Sequence, residues 1–219
     1  MTESADANPK FKVRIESLSD LVFGLALSLG AIALIQGQVP RDPSTLTRDV
    51  ELFAFSFLII VRIWLGYTRI VSVLPVETPG ALSLNLCLLF CVALEPFLYY
   101  VFQTAAIGFL DFSSAAFALD TGSMMALLSG MTYAVVREEK RGNVRRLSPI
   151  VLRNFEIGAF AQAIAAGVFL VSTSQVFWIP IPYLGFLRFL VWFVALAAVF
   201  TSRTVRRFSA KERVEVAKP

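Results

Sequence analysis

The chain carries six long apolar stretches, each about as long as a helix that crosses a lipid bilayer. A transmembrane helix needs about 20 apolar residues, because the hydrocarbon core offers its backbone no other hydrogen-bond partner. The segments between the stretches are rich in proline, glycine and charge, which predicts turns and loops. The stretches cover residues 18–37, 50–74, 81–104, 112–136, 150–173 and 182–203. This pattern predicts an all-α membrane protein with six transmembrane helices per subunit and no internal repeat.

Composition and charge agree with an integral membrane protein. Hydrophobic residues make up 57% of the 219 positions and charged residues only 16%, whereas an average soluble domain is about 25% charged. Basic residues gather before residue 15, between 137 and 153, and after 203, while segments 105–111 and 175–183 hold no Lys or Arg. Because positive charge favours the cytoplasmic side, we expect both termini to be cytoplasmic. Such clusters orient a membrane protein, so no nucleic-acid partner is expected.

Three regions follow from these spans. They are a cytoplasmic segment at 1–17, a six-helix transmembrane domain at 18–204, and a basic cytoplasmic tail at 205–219. One alternative is that the first stretch is a cleaved signal peptide, since Lys10, Lys12 and Arg14 precede it. Cleavage would put the basic loop and the basic tail on opposite sides of the membrane, which disfavours this alternative.

The sequence is poor in catalytic and metal-binding groups. It contains no histidine, which excludes imidazole metal sites and histidine-based catalysis, and we expect no cofactor. Cys87 and Cys91 stand four apart on one apolar stretch, and we interpret them as core residues that cannot bridge. A membrane enzyme would have to use carboxylates without visible metal-ligand spacing. Those carboxylates are Asp20, Glu95, Asp111 and Asp120.

The first stretch has a narrow aliphatic ridge when drawn as a helix. Leu25, Ser28, Leu29 and Ile32 fall on one face at helical spacing. Small residues, which let membrane helices approach closely, lie on both sides of this ridge. They are Gly24 and Ala31 on one side, and Ala26, Gly30 and Ala33 on the other. Ordinary packing inside a helical bundle would give the same periodicity, so the ridge by itself does not establish a pore.

Two charges fall deep inside predicted spans, Arg62 in the second and Glu95 in the third. If those helices are antiparallel neighbours, an ion pair between the two would be the least costly way to keep them in lipid. An alternative is that they are the working residues of a small-molecule or proton-coupled transporter. Arg188 lies in the sixth predicted span and Glu156 near the start of the fifth. Both side chains are long enough to reach the interface, and we assign them no function.

Three patterns stand in order in the first half of the chain. They are Arg14 with Leu18-Ser19-Asp20, Ser56-Phe57 with Trp64 and Tyr67-Thr68-Arg69, and Asn85-Leu86 with Leu89-Phe90 and Pro96-Phe97. Together these patterns resemble the transmembrane protein 175 potassium channels of bacteria, archaea and lysosomes. That family carries R-x-x-x-F-S-D in its first helix, S-F followed by W-x-x-H-H-R in its second, and N-L, L-F and P-F pairs in its third. A leucine replaces the motif phenylalanine, and Tyr67-Thr68 replaces the paired histidines.

The resemblance implies a homotetrameric potassium-permeable channel of prokaryotic cell membranes. In that family the first helices line the pore, and rings of aliphatic side chains form the constriction in place of a carbonyl filter. The matching constriction positions are Leu25, Leu29 and Ile32, with Ser28 where the family has a threonine. The resemblance further implies a hydrogen-bonded brace between the first two helices, in which we expect Asp20 to pair with Arg14 or Arg69. Its members are Arg14, Ser19, Asp20, Trp64 and Arg69.

Overall fold

A computed structural model describes residues 9–36, 42–73, 79–141, 147–181 and 185–200. This part of the chain contains six helices. They are α1 (Pro9–Gln36), α2 (Pro43–Val71), α3 (Pro79–Thr104), α4 (Ile107–Lys140), α5 (Pro149–Ser172) and α6 (Leu187–Phe200). A single 3₁₀ turn (Gln175–Phe177) and a short antiparallel ribbon, β1 (Pro180–Ile181) with β2 (Gly185–Phe186), connect α5 to α6. The predicted all-α architecture is therefore confirmed.

Four of these helices are long and apolar enough to cross a membrane, namely α1, α2, α3 and α5. Helix α4 is the longest, but Asp111, Asp120 and several hydroxyl side chains make it more polar. Helix α6 spans 14 residues within the described part of the chain. The predicted basic tail at 205–219 and residues 1–8 of the N-terminal segment lie outside the described residues, as does the end of the predicted sixth span.

Several helices begin earlier than the apolar pattern indicated. Helix α2 starts at Pro43 rather than near residue 50, because the Asp42 carboxylate accepts a hydrogen bond from the Thr45 backbone N–H at 2.9 Å and caps the helix. Helix α4 starts at Ile107, so the predicted loop at 105–111 shrinks to two residues between α3 and α4. The start of α5 is confirmed, since Ser148 caps it and Pro149 occupies the first turn.

The helices pack as a bundle in which α4 lies between α3 and α5, and α1 lies against α2 and α3. An aromatic cluster fills the interior near the α5–α6 connection, centred on the buried Trp192 of α6. The Trp192 indole N–H donates to Ser172 Oγ at 2.7 Å, which satisfies its polar atom. Its ring neighbours are Phe55, Phe102, Phe117, Phe169 and Phe189. This cluster joins α2, α3, α4, α5 and α6.

Arg188 is the best-satisfied charge in the described bundle, and the suggestion that its side chain reaches the interface is wrong. Its side chain is fully buried and forms an ion pair with Asp111 at 2.8 Å. It also donates to the Ser114 hydroxyl at 2.6 Å and to the Ser172 carbonyl at 2.8 Å. The guanidinium lies 5.1 Å from the centre of the Trp178 ring. Arg188 therefore ties α6 to the start of α4 and the end of α5.

Glu156, the other side chain that could reach an interface, is partly exposed. Its carboxylate forms an ion pair with the Lys140 ammonium at 2.6 Å, joining the end of α4 to α5.

Candidate functional site

The aliphatic ridge of α1 lies on the surface of the subunit. Leu25, Leu29 and Ile32 are 56%, 41% and 44% exposed, and Ser28 beside them is exposed as well. The Ser28 hydroxyl donates to the Gly24 carbonyl at 2.9 Å, so its proton is already engaged within the helix. The exposed surface continues toward the start of the helix with Leu21 and Leu18. The bundle therefore leaves this whole face of α1 uncovered.

The two sides of the ridge differ. Ala26, Gly30 and Ala33 are buried, and a Cβ at Gly30 would stand 3.7 Å from the Phe53 ring of α2. On the other side Gly24 is exposed and has open space where a Cβ would be. Small residues thus let α1 approach its own bundle on one side, and the other side is available to a further helix.

A buried hydroxyl pair joins α1 to α2, closer to the start of α1 than the ridge. Ser19 is fully buried and lies 2.5 Å from the Tyr67 hydroxyl, and Ser19 Oγ also donates to the Ile15 carbonyl at 2.8 Å. Since Ser19 spends its one proton on Ile15, the Tyr67 hydroxyl is the donor between the two. Tyr67 stands where the resembled family has the first of its paired histidines, and here the phenol supplies the interhelical hydrogen bond.

Asp20 and Trp64 make a second contact between the same helices. The Trp64 indole N–H donates to Asp20 Oδ1 at 3.1 Å, and both side chains are exposed. Within the described part of the chain Asp20 forms no ion pair with Arg14 or Arg69, contrary to expectation. Arg14 and Asp20 are six residues apart, which puts them about 120° apart around the helix and about 9 Å apart along its axis. The indole therefore takes the place of the predicted arginine.

The predicted ion pair between Arg62 and Glu95 does not form. Glu95 is fully buried and accepts a hydrogen bond from Ser56 Oγ at 2.5 Å, while Arg62 is 4% exposed and its Nε and Nη1 have no hydrogen-bond partner. Ser56 and Arg62 are six residues apart on α2, a separation of about 9 Å along the axis. Because α2 and α3 run antiparallel with Ser56 opposite Glu95, Arg62 lies too far along the helix to reach the carboxylate.

Sequence reasoning did not anticipate how many buried oxygens face the interior of the bundle. Glu95 Oε2, Tyr99 Oη and Asp120 Oδ2 are buried without a hydrogen-bond partner. Tyr99 lies one turn after Glu95 on the same face of α3, and Asp120 of α4 lies next to the Cys91 thiol. The helical spacing of Cys91, Glu95 and Tyr99 could have indicated this polar face. Among the described residues no group of three or more Cys, Asp or Glu side chains could hold a metal ion.

Comparison with known proteins confirms the resemblance stated from the sequence. The family model described as "Endosomal/lysosomal potassium channel TMEM175" matches residues 14–96, which include most of α1, all of α2 and α3 as far as Pro96. The match therefore contains all of the quoted motif residues except Phe97. No curated protein sequence matches the chain.

The fold of most of the chain is similar to that of a solved channel. The structure is described as a variant of the potassium channel MtTMEM175 in complex with a nanobody–MBP fusion protein. The TM-score is 0.58 at 15% sequence identity, and the alignment covers 90% of this chain and 93% of the other. The structural likeness therefore reaches well beyond residues 14–96, into the part of the chain where no sequence motif was found. Both the matched family and the matched structure are ion channels, not enzymes.

Proposed function

We propose that this chain is the subunit of a potassium-permeable cation channel whose pore is lined by α1. In this proposal six spanning helices per subunit assemble as a homotetramer in a cell membrane, with both termini in the cytoplasm. The match of residues 14–96 to the TMEM175 family supports the activity, and the channel-like fold supports the architecture.

The observation that carries the proposal is the position of the α1 ridge between two different flanks. Ala26, Gly30 and Ala33 pack inward on the same subunit, while Gly24 is open on the other side. A helix placed around a shared axis needs this arrangement: one flank for its own bundle, one for the neighbouring copy, and a ridge between them that points to the axis.

The ridge has the chemistry of a hydrophobic constriction. Leu25, Leu29 and Ile32 offer no oxygen to a cation, so a ring of them resists ions because a dehydrated ion finds no replacement ligands. Ser28 supplies one hydroxyl oxygen at this level, and its engaged proton leaves the lone pairs of the oxygen available. Conduction then requires a widening of the ring, and selectivity rests on the ring diameter and the Ser28 oxygen.

Flux through liposomes tests the proposal. Wild-type protein reconstituted with a potassium gradient should pass potassium, and Leu29→Asn should raise the flux because a polar ring holds water. Ile164→Asn on α5, at another exposed aliphatic position, is the matched control and should leave the flux unchanged. Absence of potassium flux from wild-type protein would overturn the proposed activity, and equal effects of the two substitutions would overturn the assigned pore wall.

A transporter that uses Arg62 and Glu95 is the alternative function. The two side chains do not pair within the described bundle, so such a transporter would have to use them at separate positions on α2 and α3.

A further inference from the structure

Arg62, in the middle of α2, has a buried guanidinium that is not fully hydrogen-bonded. It is only 4% exposed, its Nε and Nη1 lack acceptors, and no described carboxylate forms an ion pair with it. The positive charge of Arg69, seven residues later on α2, repels it. A buried guanidinium with N–H groups that lack acceptors is strongly unfavourable, so a nearby oxygen is expected to satisfy them.

A polar side chain close to this guanidinium is Gln162 of α5, itself only 4% exposed. Arg62 Nη1 and Gln162 Nε2 lie 3.3 and 3.4 Å from the position that a Cβ at Gly66 would take. Both groups therefore lie on the same patch of α2, over the bare backbone of Gly66. Each of these two nitrogens carries only hydrogen-bond donors, so neither can satisfy the other.

The oxygen of the Gln162 amide also lacks a suitable donor. Gln162 Oε1 lies 3.4 Å from Thr132 Oγ1, but the Thr132 hydroxyl already donates to the Leu128 carbonyl at 2.7 Å. A threonine hydroxyl has one proton, so two oxygens meet here without a hydrogen between them. A half-turn of the Gln162 amide exchanges its oxygen and nitrogen. Nε2 then donates to Thr132 Oγ1, and Oε1 faces Arg62 Nη1, which corrects both mismatches.

We propose that Gln162 holds its carbonyl toward Arg62 and so anchors the middle of α2 to α4 and α5. Gly66 makes the contact possible, because a Cβ there would stand 2.7 Å from Leu128 Cδ2 and against both polar groups. Gln162 is a positioning residue in this account. Trp64 lies about 200° around α2 from Arg62, on the side that holds α1.

The consequence for the pore rests on the proposed function, while the Arg62–Gln162 contact does not. One face of α2 contacts Gln162 through Arg62, and the opposite face contacts α1 through Tyr67 and Trp64. Loss of the Arg62–Gln162 contact should therefore make the position of α1, the pore helix, less well defined.

A double-mutant cycle in detergent tests the contact by thermal unfolding. Gln162→Leu should lower the melting temperature by several degrees, because it strands the Arg62 charge. The same change made in an Arg62→Leu background should cost far less. Gln162→Glu, which keeps an acceptor, should melt no lower than wild type. Equal losses from Gln162→Leu in both backgrounds, or a drop of several degrees in Gln162→Glu, would overturn the proposal.

Potassium flux measured well below these melting temperatures tests the positioning role. The flux through Gln162→Leu should differ from the wild-type flux, whereas the flux through Gln162→Glu should equal it. A flux that is identical in wild type and Gln162→Leu would overturn the positioning role. If wild-type protein conducts no potassium, the proposed function fails, and the stability cycle still decides whether Arg62 and Gln162 are partners.

Discussion

The Trp64 indole N–H donates to the Asp20 carboxylate across the α1–α2 contact, at 3.1 Å. This hydrogen bond, with the Ser19–Tyr67 pair one helical position earlier on α1, fixes where the ridge of α1 points. Tyr67 occupies the position of the first histidine in the family pattern, so in this chain a phenol supplies one of these two hydrogen bonds between α1 and α2.

Replacing Trp64 by phenylalanine should destabilise the protein by about 1 kcal/mol, because it removes the donor to an exposed carboxylate while keeping an aromatic ring. Thermal unfolding in detergent measures the loss. The same substitution in an Asp20→Ala background should cost less, and an equal cost in both backgrounds would mean that the hydrogen bond contributes nothing.

Tyr67→Phe should destabilise the protein by about 1–2 kcal/mol, because Ser19 and Tyr67 are both buried and the Ser19 oxygen would keep only its own intrahelical bond. Chemical denaturation of the variant and of wild-type protein in the same detergent measures this difference in the free energy of unfolding. Adding Ser19→Ala to Tyr67→Phe should cost little more, since the two residues share one interaction. Fully additive losses would argue against the interhelical bond.

Arg188→Met should destabilise the protein by at least about 3 kcal/mol, because it leaves Asp111 and the α5 carbonyls without their buried cation. Arg188→Lys should lose less stability but still fall below wild type, since an ammonium cannot reach all of those acceptors. Melting temperatures of the two variants check the order. An unchanged melting temperature in Arg188→Met would contradict the role of this residue as the tie between α4, α5 and α6.

The start of α2 should loosen in strong acid. Hydrogen bonds from the Ser44 hydroxyl, and then from the Thr45 N–H and hydroxyl, lower the pKa of Asp42 from 3.8 to about 2. A carboxyl with a lowered pKa stabilises the folded state above its ordinary pKa, and this contribution disappears as the pH falls through about 2. Hydrogen exchange of the first-turn amides of α2 should accelerate over that interval.

Asp42→Asn is the control for this effect. The amide keeps a capping oxygen but does not titrate, so the acid-dependent acceleration should be absent. An identical acid response in Asp42→Asn would show that another group governs the start of α2.

The sequence predicted the helices well and the interior charges poorly, for a physical reason. The length of an apolar stretch and the positions of proline and serine are local signals, so the start of α5 at Pro149 could be predicted from the sequence around it. The partner of Arg62 depends on register between helices, and a difference of six residues along α2 separates the expected pair from the observed one. Arg188 was misjudged because most of its acceptors are backbone carbonyls, one at Asp111 and three at residues 172–174, which no residue pattern reveals.

The site on α1 was more predictable, because the ridge is a property of one helix. Helical spacing alone grouped Leu25, Ser28, Leu29 and Ile32, and all four lie on one exposed face. Spacing could not distinguish the buried flank at Ala26 from the open flank at Gly24, since that depends on which neighbour each side meets.

The claim that α1 lines the ion path is tested most directly by thiol accessibility during potassium flux. A Leu29→Cys variant, with Cys87 and Cys91 replaced by serine, is reconstituted and treated with a membrane-impermeant cationic thiol reagent. We predict that modification blocks potassium flux and that Ile164→Cys, on the exposed face of α5, is insensitive. Unimpeded flux through modified Leu29→Cys channels would contradict the claim that α1 faces the ion path.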